Sequence, residues 1–171
     1  MTHSIFIDGV AGTTGLEIRE RLAGRAEFAL ILLDDAQRKD AEARRQAIND
    51  ADVVILCLPD DAAIEAVSLI ANERTKVIDA STAHRVAPGW TYGFPELVGR
   101  AAVAGSKWIS NPGCYPTGFL ALVAPLVRAG IIPSSHPLSI NAVSGYSGGG
   151  KGMIAEFEGG TNRPTAWRCY G

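Results

Sequence analysis

The sequence predicts an α/β fold built on a doubly wound parallel sheet, and three observations support this. Strand-like and helix-like segments alternate from the first residues onward. The third strand-like run, residues 53–58, is almost entirely apolar, as expected for a parallel strand buried on both faces. A glycine-rich turn at residues 9–15 joins the first strand to the first helix. Repeated β-α-β order favours right-handed crossovers, and ligands in such sheets bind at the carboxyl ends of the strands.

The individual elements are predicted from apolar runs and turn residues. Five strands are expected, at residues 4–8, 28–33, 53–58, 76–79 and 108–110. Helical spacing predicts helices at residues 16–23, 36–47, 62–72 and 116–129, with Asp60 or Asp61 capping the third. A further strand at residues 138–144 and a glycine-rich loop follow. Because the pattern changes after Ser110, we expect two domains, residues 1–113 and residues 114–171.

Length and composition exclude several classes of protein. The chain has 171 residues and 47% hydrophobic content, enough for one domain with a core and part of a second. A net charge of −2 with 20% charged residues gives no basic surface for nucleic acid. The apolar runs fall short of the roughly 20 residues that a membrane span requires. The first residues lead directly into a strand, so we expect no signal peptide and a soluble, cytoplasmic protein.

The turn at residues 9–15 has the chemistry of a dinucleotide site. Gly9 permits a tight turn, Gly12 lets backbone N–H groups approach a pyrophosphate, and Gly15 lets the helix pack closely on the strand. Thr13 and Thr14 add hydroxyls that can reach phosphate. An ordinary tight loop is the alternative, but its place in the first βα turn favours a cofactor site.

The choice between NAD and NADP stays open at the level of residue chemistry. The GxxGxxG spacing is often seen with NADP. Asp34 and Asp35 could bind a ribose 2′-hydroxyl, whereas Arg38 and Lys39 could pair with a 2′-phosphate.

The three cysteines, Cys57, Cys114 and Cys169, lack the paired spacing of a zinc site, so we expect free thiols and no metal. Cys114 stands just before Pro116, a residue favoured at the first position of a helix. Helix N-termini favour the thiolate that attacks carbonyl groups, so Cys114 is predicted to be a nucleophile. A buried packing cysteine is the alternative, and Cys57 fits that description. Four apolar residues at helical spacing predict a buried face on the following helix, namely Phe119, Leu122, Val123 and Leu126.

Two further loops carry groups suited to anions. Residues 144–152 contain the pattern GxxxxGK, but Gly152 replaces the hydroxyl residue that holds Mg²⁺, so ATP is not expected. Backbone donors with Lys151 suit an anionic substrate, and a flexible surface loop is the alternative. In residues 79–85, Arg85 could hold a phosphate or carboxylate and Ser81 could donate to either; a plain turn is the alternative.

These segments together resemble the N-acetyl-γ-glutamyl-phosphate reductase family of arginine biosynthesis, in particular its shorter form. The matching runs follow the family's order, at residues 9–15, 58–61, 79–85, 92–96, 111–117 and 144–151. The resemblance implies an NADP-binding Rossmann domain followed by an α/β catalytic and dimerisation domain. It implies NADPH as hydride donor, Cys114 as nucleophile, and a homo-oligomer (a dimer or tetramer) when the protein is full length. It also implies that five residues border the substrate site: Ser81, Arg85, Asn111, Ser144 and Lys151.

The reaction that the resemblance implies begins with attack of the Cys114 thiolate on an acyl phosphate, with release of inorganic phosphate. Reduction of the resulting thioester then gives N-acetylglutamate semialdehyde. Family members are longer and carry a catalytic histidine in a segment beyond Gly171, and His3, His84 and His136 do not occupy that motif. We therefore expect a truncated chain with exposed apolar surface and a solvated His136.

Three alternatives remain from the sequence. An aspartate-semialdehyde dehydrogenase would share the cofactor and the cysteine but bind a different substrate. A cysteine hydrolase using Cys114 and His136 would leave the glycine turn unexplained. A non-catalytic NADP-binding fragment would explain the missing histidine.

Overall fold

A single parallel sheet of six strands forms the centre of the protein, whose computed structural model describes residues 2–159. The strands are β1 (His3–Asp8), β2 (Phe28–Ile31), β3 (Val53–Leu56), β4 (Lys76–Asp79), β5 (Thr91–Tyr92) and β6 (Trp108–Ser110). They lie in the order β2-β1-β3-β4-β6-β5, and every neighbouring pair is parallel. The predicted parallel sheet is therefore confirmed.

Helices pack on both faces of this sheet, α1 (Thr13–Leu22) on one face and α2 (Ala41–Asp50) and α3 (Asp60–Ser68) on the other. The remaining helices are α4 (Pro95–Val98), α5 (Arg100–Gly105), α6 (Cys114–Arg128) and α7 (Gly150–Glu158). Because successive side chains of a strand point to opposite faces, β1 contributes to two apolar clusters. Ile5 and Ile7 pack with Ile18 of α1, whereas Phe6 packs with Ile48 of α2. Helices on both faces make the sheet doubly wound, as predicted.

The strand register aligns the loops that carry the candidate site. Asp8, Leu56, Asp79 and Ser110 are successive partners across four strands. Each is the last residue of its strand, so the four following loops begin along one edge of the sheet. The chain runs from β1 outward to β2 and then crosses to β3 on the other side of β1, and ligands bind where the strand order reverses in this way.

Two helix starts differ from the prediction because the acidic side chains near them have other partners than the sequence suggested. The expected helix at residues 36–47 is divided into a short 3-10 helix, Gln37–Lys39, and α2, whose start Asp40 caps by accepting the Ala43 N–H at 2.7 Å. The predicted cap of α3 by Asp60 or Asp61 is wrong, since Pro59 holds the cap position. Asp60 instead accepts the backbone N–H and the hydroxyl of Thr82, at 2.8 and 2.5 Å.

The predictions for the later part of the chain fail in three places. No side chain of α6 is buried and Leu122 is 74% exposed, so the predicted buried face is wrong. Burial needs a packing partner, and within residues 2–159 the largest set of contacts to α6 comes from the four-residue α4. Residues 138–144 form no strand, since none of β1–β6 pairs with them. The predicted glycine loop is a 3-10 helix, Tyr146–Gly149, followed by α7.

Because these segments lack packing partners, several of their apolar side chains are exposed. This confirms the exposed apolar surface expected from the sequence. The exposed side chains include Leu122, Ile131, Leu138, Ile140 and Val143. Nowhere in residues 2–159 does a helix combine the length and apolar character needed to cross a bilayer.

Candidate active site

The turn after β1 requires glycine at two of its three glycine positions. Gly9 has a φ of +88°, and a side chain there would collide with the carbonyl group of Cys57. A Cβ on Gly15 would lie 2.5 Å from the carbonyl oxygen of Gly9, so α1 begins in direct contact with the turn. The tight turn and the close helix packing predicted for these glycines are both present.

The start of α1 is open and suited to an anion. Its cap residue, Gly12, offers no side chain to its first N–H groups, and the first turn contains no acidic residue. Thr13 and Thr14 are the first two helical residues and both are exposed. Unpaired N–H groups and the helix dipole together favour a phosphate at such a terminus. The residues present therefore fit the diphosphate of a dinucleotide.

A hollow lies beside the ends of β1 and β2, and the charges of its lining bear on whether the cofactor is NAD or NADP. Residues 6–10 and 30–33 line it together with Arg38. Asp34 is engaged elsewhere, because its Oδ1 accepts the backbone N–H groups of Ala36 and Gln37 at 2.9 and 2.8 Å. Asp35 forms an ion pair with Arg38. The hollow thus carries the guanidinium of Arg38 and one carboxylate, that of Asp8, which is paired with Arg44 at 2.9 Å. A guanidinium at this place can pair with the 2′-phosphate of NADP.

Cys114 is the first residue of α6, with Gly113 as the cap. Pro116, expected at the first helical position, is therefore the third residue of the helix. The N–H and hydroxyl of Thr117 both donate to the Gly113 carbonyl, at 3.0 and 2.8 Å, and fix this first turn. The thiol is exposed, and the first turn of α6 has no acidic residue. Cys114 thus presents an accessible sulfur at the positive end of a helix.

A buried carboxylate that sequence reasoning did not single out organises the loop after β4. Asp79 is 0% exposed and accepts the N–H and hydroxyl of Ser81 at 2.9 and 2.7 Å. Nδ1 of His84 lies 2.6 Å from the same carboxylate, and the imidazole stacks on Trp90 with centroids 4.2 Å apart. The available signal was an acid closing the apolar strand β4. The hydroxyl hydrogen of Ser81 is committed to Asp79, although its oxygen can still accept.

Arg85 joins this loop to the one that carries Cys114. Its Nη2 donates to the carbonyls of Ala80 and Ser81, each at 3.0 Å, and its Nε donates to the carbonyl of Asn111 at 3.2 Å. Nη1 has no hydrogen-bond partner among residues 2–159 and would lie 3.3 Å from a Cβ on Gly113. Ser81, Arg85 and Asn111 therefore come together beside the start of α6, with one guanidinium nitrogen left to bind a ligand.

The other two residues expected at the substrate site, Ser144 and Lys151, make no hydrogen bond to Ser81, Arg85 or Asn111 within residues 2–159. Lys151 donates from Nζ to the carbonyl oxygen of Ala11, in the turn after β1, at 2.5 Å. Ser144 is exposed and donates to the carbonyl of the adjacent Gly145. His136 is exposed, as predicted.

Cys57, unlike the exposed Cys114, is partly buried. Cys57 packs with the apolar cluster under α1, which confirms its predicted packing role. Burial, aided by the charges of Asp79 and Asp8, raises the pKa of the Cys57 thiol to about 11. Cys169 lies outside the described residues.

Two family models match the chain in succession. Residues 4–106 match "Semialdehyde dehydrogenase, NAD binding domain", and residues 114–171 match "Semialdehyde dehydrogenase, dimerisation domain". N-acetyl-gamma-glutamyl-phosphate reductase 2 of Pseudomonas putida is 54% identical over 99% of this chain and 55% of its own length. The N-acetyl-gamma-glutamyl-phosphate reductase of Trichormus variabilis is 58% identical over 90% of this chain and 48% of its own length. The chain thus spans about half the length of these relatives.

Solved structures share the fold at low identity. Aspartate semialdehyde dehydrogenase II of Vibrio cholerae, complexed with ASA, has a TM-score of 0.66 and 19% identity, covering 93% of this chain and 51% of that one. The Candida albicans aspartate semialdehyde dehydrogenase with NADP has a TM-score of 0.52 and 15% identity, covering 75% of this chain and 48% of that one. At these identities the likeness establishes the fold.

Proposed function

Because the chain belongs to the semialdehyde dehydrogenase family, we propose that it serves the NADPH-dependent reduction of an acyl phosphate to an aldehyde through a cysteine thioester. The proposed substrate is N-acetyl-γ-glutamyl phosphate, in arginine biosynthesis. The names of the relatives at 54% and 58% identity support this choice over aspartate-semialdehyde dehydrogenase. The activity of the 171-residue chain by itself, its cytoplasmic location and the thioester intermediate stay predictions.

One observation carries the proposal: the exposed thiol of Cys114 begins α6 beside Arg85, on the edge of the sheet that also carries the glycine turn. A nucleophile, a cation and a dinucleotide-type turn on one edge are the parts that this reaction needs. A cysteine hydrolase would need the nucleophile and a histidine base but no dinucleotide turn. Its proposed base, His136, sits in an exposed turn with one backbone hydrogen bond.

In the proposed mechanism Cys114 attacks the acyl carbon of the substrate as a thiolate. The carbon–oxygen bond to phosphate breaks, and inorganic phosphate leaves. Nη1 of Arg85 would neutralise charge on the departing phosphate. Backbone N–H groups at the start of α6 would stabilise the oxyanion. Hydride addition to the thioester gives a thiohemiacetal anion on Cys114. Its carbon–sulfur bond then breaks, which releases the semialdehyde and restores the thiolate.

The cofactor residues proposed are Gly9, Gly12, Thr13, Thr14 and Gly15 for the diphosphate, with Arg38 for the 2′-phosphate. When bound, NADPH supplies the hydride that reduces the thioester. Ser81, Asn111 and Ser144 are proposed to border the substrate. Asn111 has its side-chain Nδ2 on the adjacent carbonyl of Pro112 at 3.2 Å and is exposed, so it can exchange that contact for a ligand.

The reverse reaction tests the proposal most directly. N-acetylglutamate semialdehyde should reduce NADP in the presence of inorganic phosphate, which accepts the acyl group, and the Cys114→Ser variant should lose this activity. Aspartate semialdehyde is the matched alternative substrate and should react at least tenfold more slowly. Equal activity in wild type and variant would rule out the cysteine mechanism. Binding of NADPH without turnover of either aldehyde would instead support a non-catalytic cofactor-binding fragment.

A homo-oligomer is also proposed, and two observations support it. The second family model is a dimerisation domain and begins at Cys114. The apolar residues of α6 and of the segment after it are exposed, and such surfaces are commonly covered by a partner. Sedimentation analysis should therefore show a dimer or a larger assembly.

A further inference from the structure

Lys151 makes a contact that spans almost the whole chain. It is the second residue of α7, and its Nζ lies 2.5 Å from the carbonyl oxygen of Ala11, which is 140 residues away in sequence. Ala11 stands between Gly9 and Gly12, in the middle of the turn that precedes α1. The contact therefore places the ammonium against the loop proposed to hold the dinucleotide.

The ammonium retains the capacity to bind an anion there. Lysine has three N–H donors, and one of them is used on Ala11. No carboxylate within residues 2–159 forms an ion pair with Lys151. The turn from Gly9 to Gly15 has no charged side chain, and the first turn of α1 has no acidic residue. Lys151 thus supplies a positive charge that the turn itself lacks.

Arg85 and Lys151 contact two different loops of the site. Arg85 contacts the loop that leads into Cys114, where an acyl phosphate would react. Lys151 contacts the turn at the start of α1, where backbone donors suit a diphosphate. Sequence resemblance had grouped both residues with the substrate, but the contacts separate them.

We propose that Lys151 binds the diphosphate of the dinucleotide and that, through it, cofactor binding ties α7 to the nucleotide-binding domain. The inference rests on the proposed function, because it assumes that NADPH occupies the glycine turn. In this proposal the second glycine-rich segment, residues 144–152, helps to bind the cofactor.

The test is a titration of the purified chain with NADPH, followed by its fluorescence, for wild type, Lys151→Gln and Lys76→Gln. Lys76 is the matched control because its Nζ also donates to a single backbone carbonyl, that of Ala104, at 2.5 Å. It begins β4 and so lies at the amino-terminal edge of the sheet, opposite the glycine turn. Loss of one charge-assisted bond should weaken NADPH binding about 10- to 100-fold in Lys151→Gln and leave Lys76→Gln unchanged.

A second ligand shows which part of the cofactor Lys151 binds. Adenosine 2′-monophosphate has the 2′-phosphate and the adenine but no diphosphate, so its affinity should be the same in wild type and Lys151→Gln. Lys151→Arg should recover most of the NADPH affinity, because it keeps the charge. The weakening in Lys151→Gln should shrink at high salt, which screens exposed charges.

Several results would overturn the inference, and they are distinct from failure of the proposed function. Unchanged NADPH affinity in Lys151→Gln would overturn it, as would an equal loss of NADPH and adenosine 2′-monophosphate. A raised KM for phosphate with unchanged NADPH affinity would return Lys151 to the substrate site. Tight, Lys151-dependent NADPH binding without turnover of the semialdehyde would refute the proposed function and leave the inference standing. A wild-type chain that binds no NADPH would refute both.

Discussion

Replacing the buried carboxylate of Asp79 with an amide should destabilise the protein while leaving its shape almost unchanged. Asp79→Asn keeps one accepting oxygen, but its new NH₂ group faces N–H and O–H donors. In the native protein, Oδ2 accepts from the hydroxyl of Ser81 and lies 2.6 Å from Nδ1 of His84. In the variant, an NH₂ group that can only donate takes the place of an oxygen that accepted hydrogen bonds. It then faces other donors at a residue with no exposed surface.

The size of the effect follows from the bonds that change. Hydrogen bonds to a charged group contribute about 1.5–3 kcal/mol each, against about 1 kcal/mol for neutral pairs. Weakening two such bonds from the charged to the neutral value should lower the free energy of unfolding by about 1–4 kcal/mol. For a chain of this length, that loss corresponds to a fall in Tm of about 2–16 °C.

Urea denaturation at pH 7, followed by circular dichroism, measures this change. Asp50→Asn is the control, since Asp50 is an exposed carboxylate at the end of α2 and its side chain makes no hydrogen bond within residues 2–159; its stability should change by less than about 0.5 kcal/mol. Combining Asp79→Asn with Ser81→Ala should cost less than the sum of the single changes, because the two residues share a bond. A loss below about 1 kcal/mol in Asp79→Asn, or strict additivity with Ser81→Ala, would refute this account of the loop.

Three further predictions concern the thiols, the glycine turn and the cofactor. At pH 8 iodoacetamide should label Cys114 far faster than Cys57, because a pKa of about 11 leaves about one Cys57 thiolate in a thousand; peptide mass spectrometry distinguishes them, and labelling of Cys57 should rise as the pH approaches 11. Gly15→Ala should abolish measurable NADPH binding, because its Cβ would lie 2.5 Å from a backbone oxygen, whereas Gly118→Ala, in open space on α6, should leave binding unchanged. Arg38→Gln should weaken NADPH binding about 10- to 100-fold and leave NADH binding unchanged, as measured by fluorescence titration.

Each of these has a result that contradicts it. Equal labelling of the two thiols at pH 8 would show that Cys57 is far more accessible than its packing indicates. Wild-type affinity in Gly15→Ala would mean that α1 can move away from the turn without harm. A parallel loss of NADPH and NADH in Arg38→Gln would show that Arg38 supports the fold of the hollow and does not select the 2′-phosphate.

Local features of the sequence were sufficient for the Rossmann sheet and its glycine turn. Strands β4 and β6 were predicted to the residue, because in each an apolar pair, Val77-Ile78 or Trp108-Ile109, is followed at once by a polar residue. The tight turn at Gly9 was predictable because a backbone position with positive φ favours glycine, and the turn involves only a few neighbouring residues. The position of Cys114 before a helix was also readable, and its actual place as the first helical residue shifts that prediction by two positions.

Features that depend on distant partners could not be obtained in this way. The apolar spacing of α6 predicts a face able to be buried, but whether Leu122 is buried depends on what packs there, and in residues 2–159 little does. The strand expected at residues 138–144 fails for the same reason, since a strand needs a neighbour to accept its hydrogen bonds.

The sequence by itself determined the parallel α/β fold, the dinucleotide turn and the cysteine, because each is written in residues close together along the chain. Only the tertiary structure decided which charged groups meet which loops. It engaged Asp34 locally and left Arg38 at the hollow, joined His84 to Asp79, and brought Lys151 to Ala11. The physical reason is that charged side chains on long stems can reach many partners, and the folded backbone selects among them.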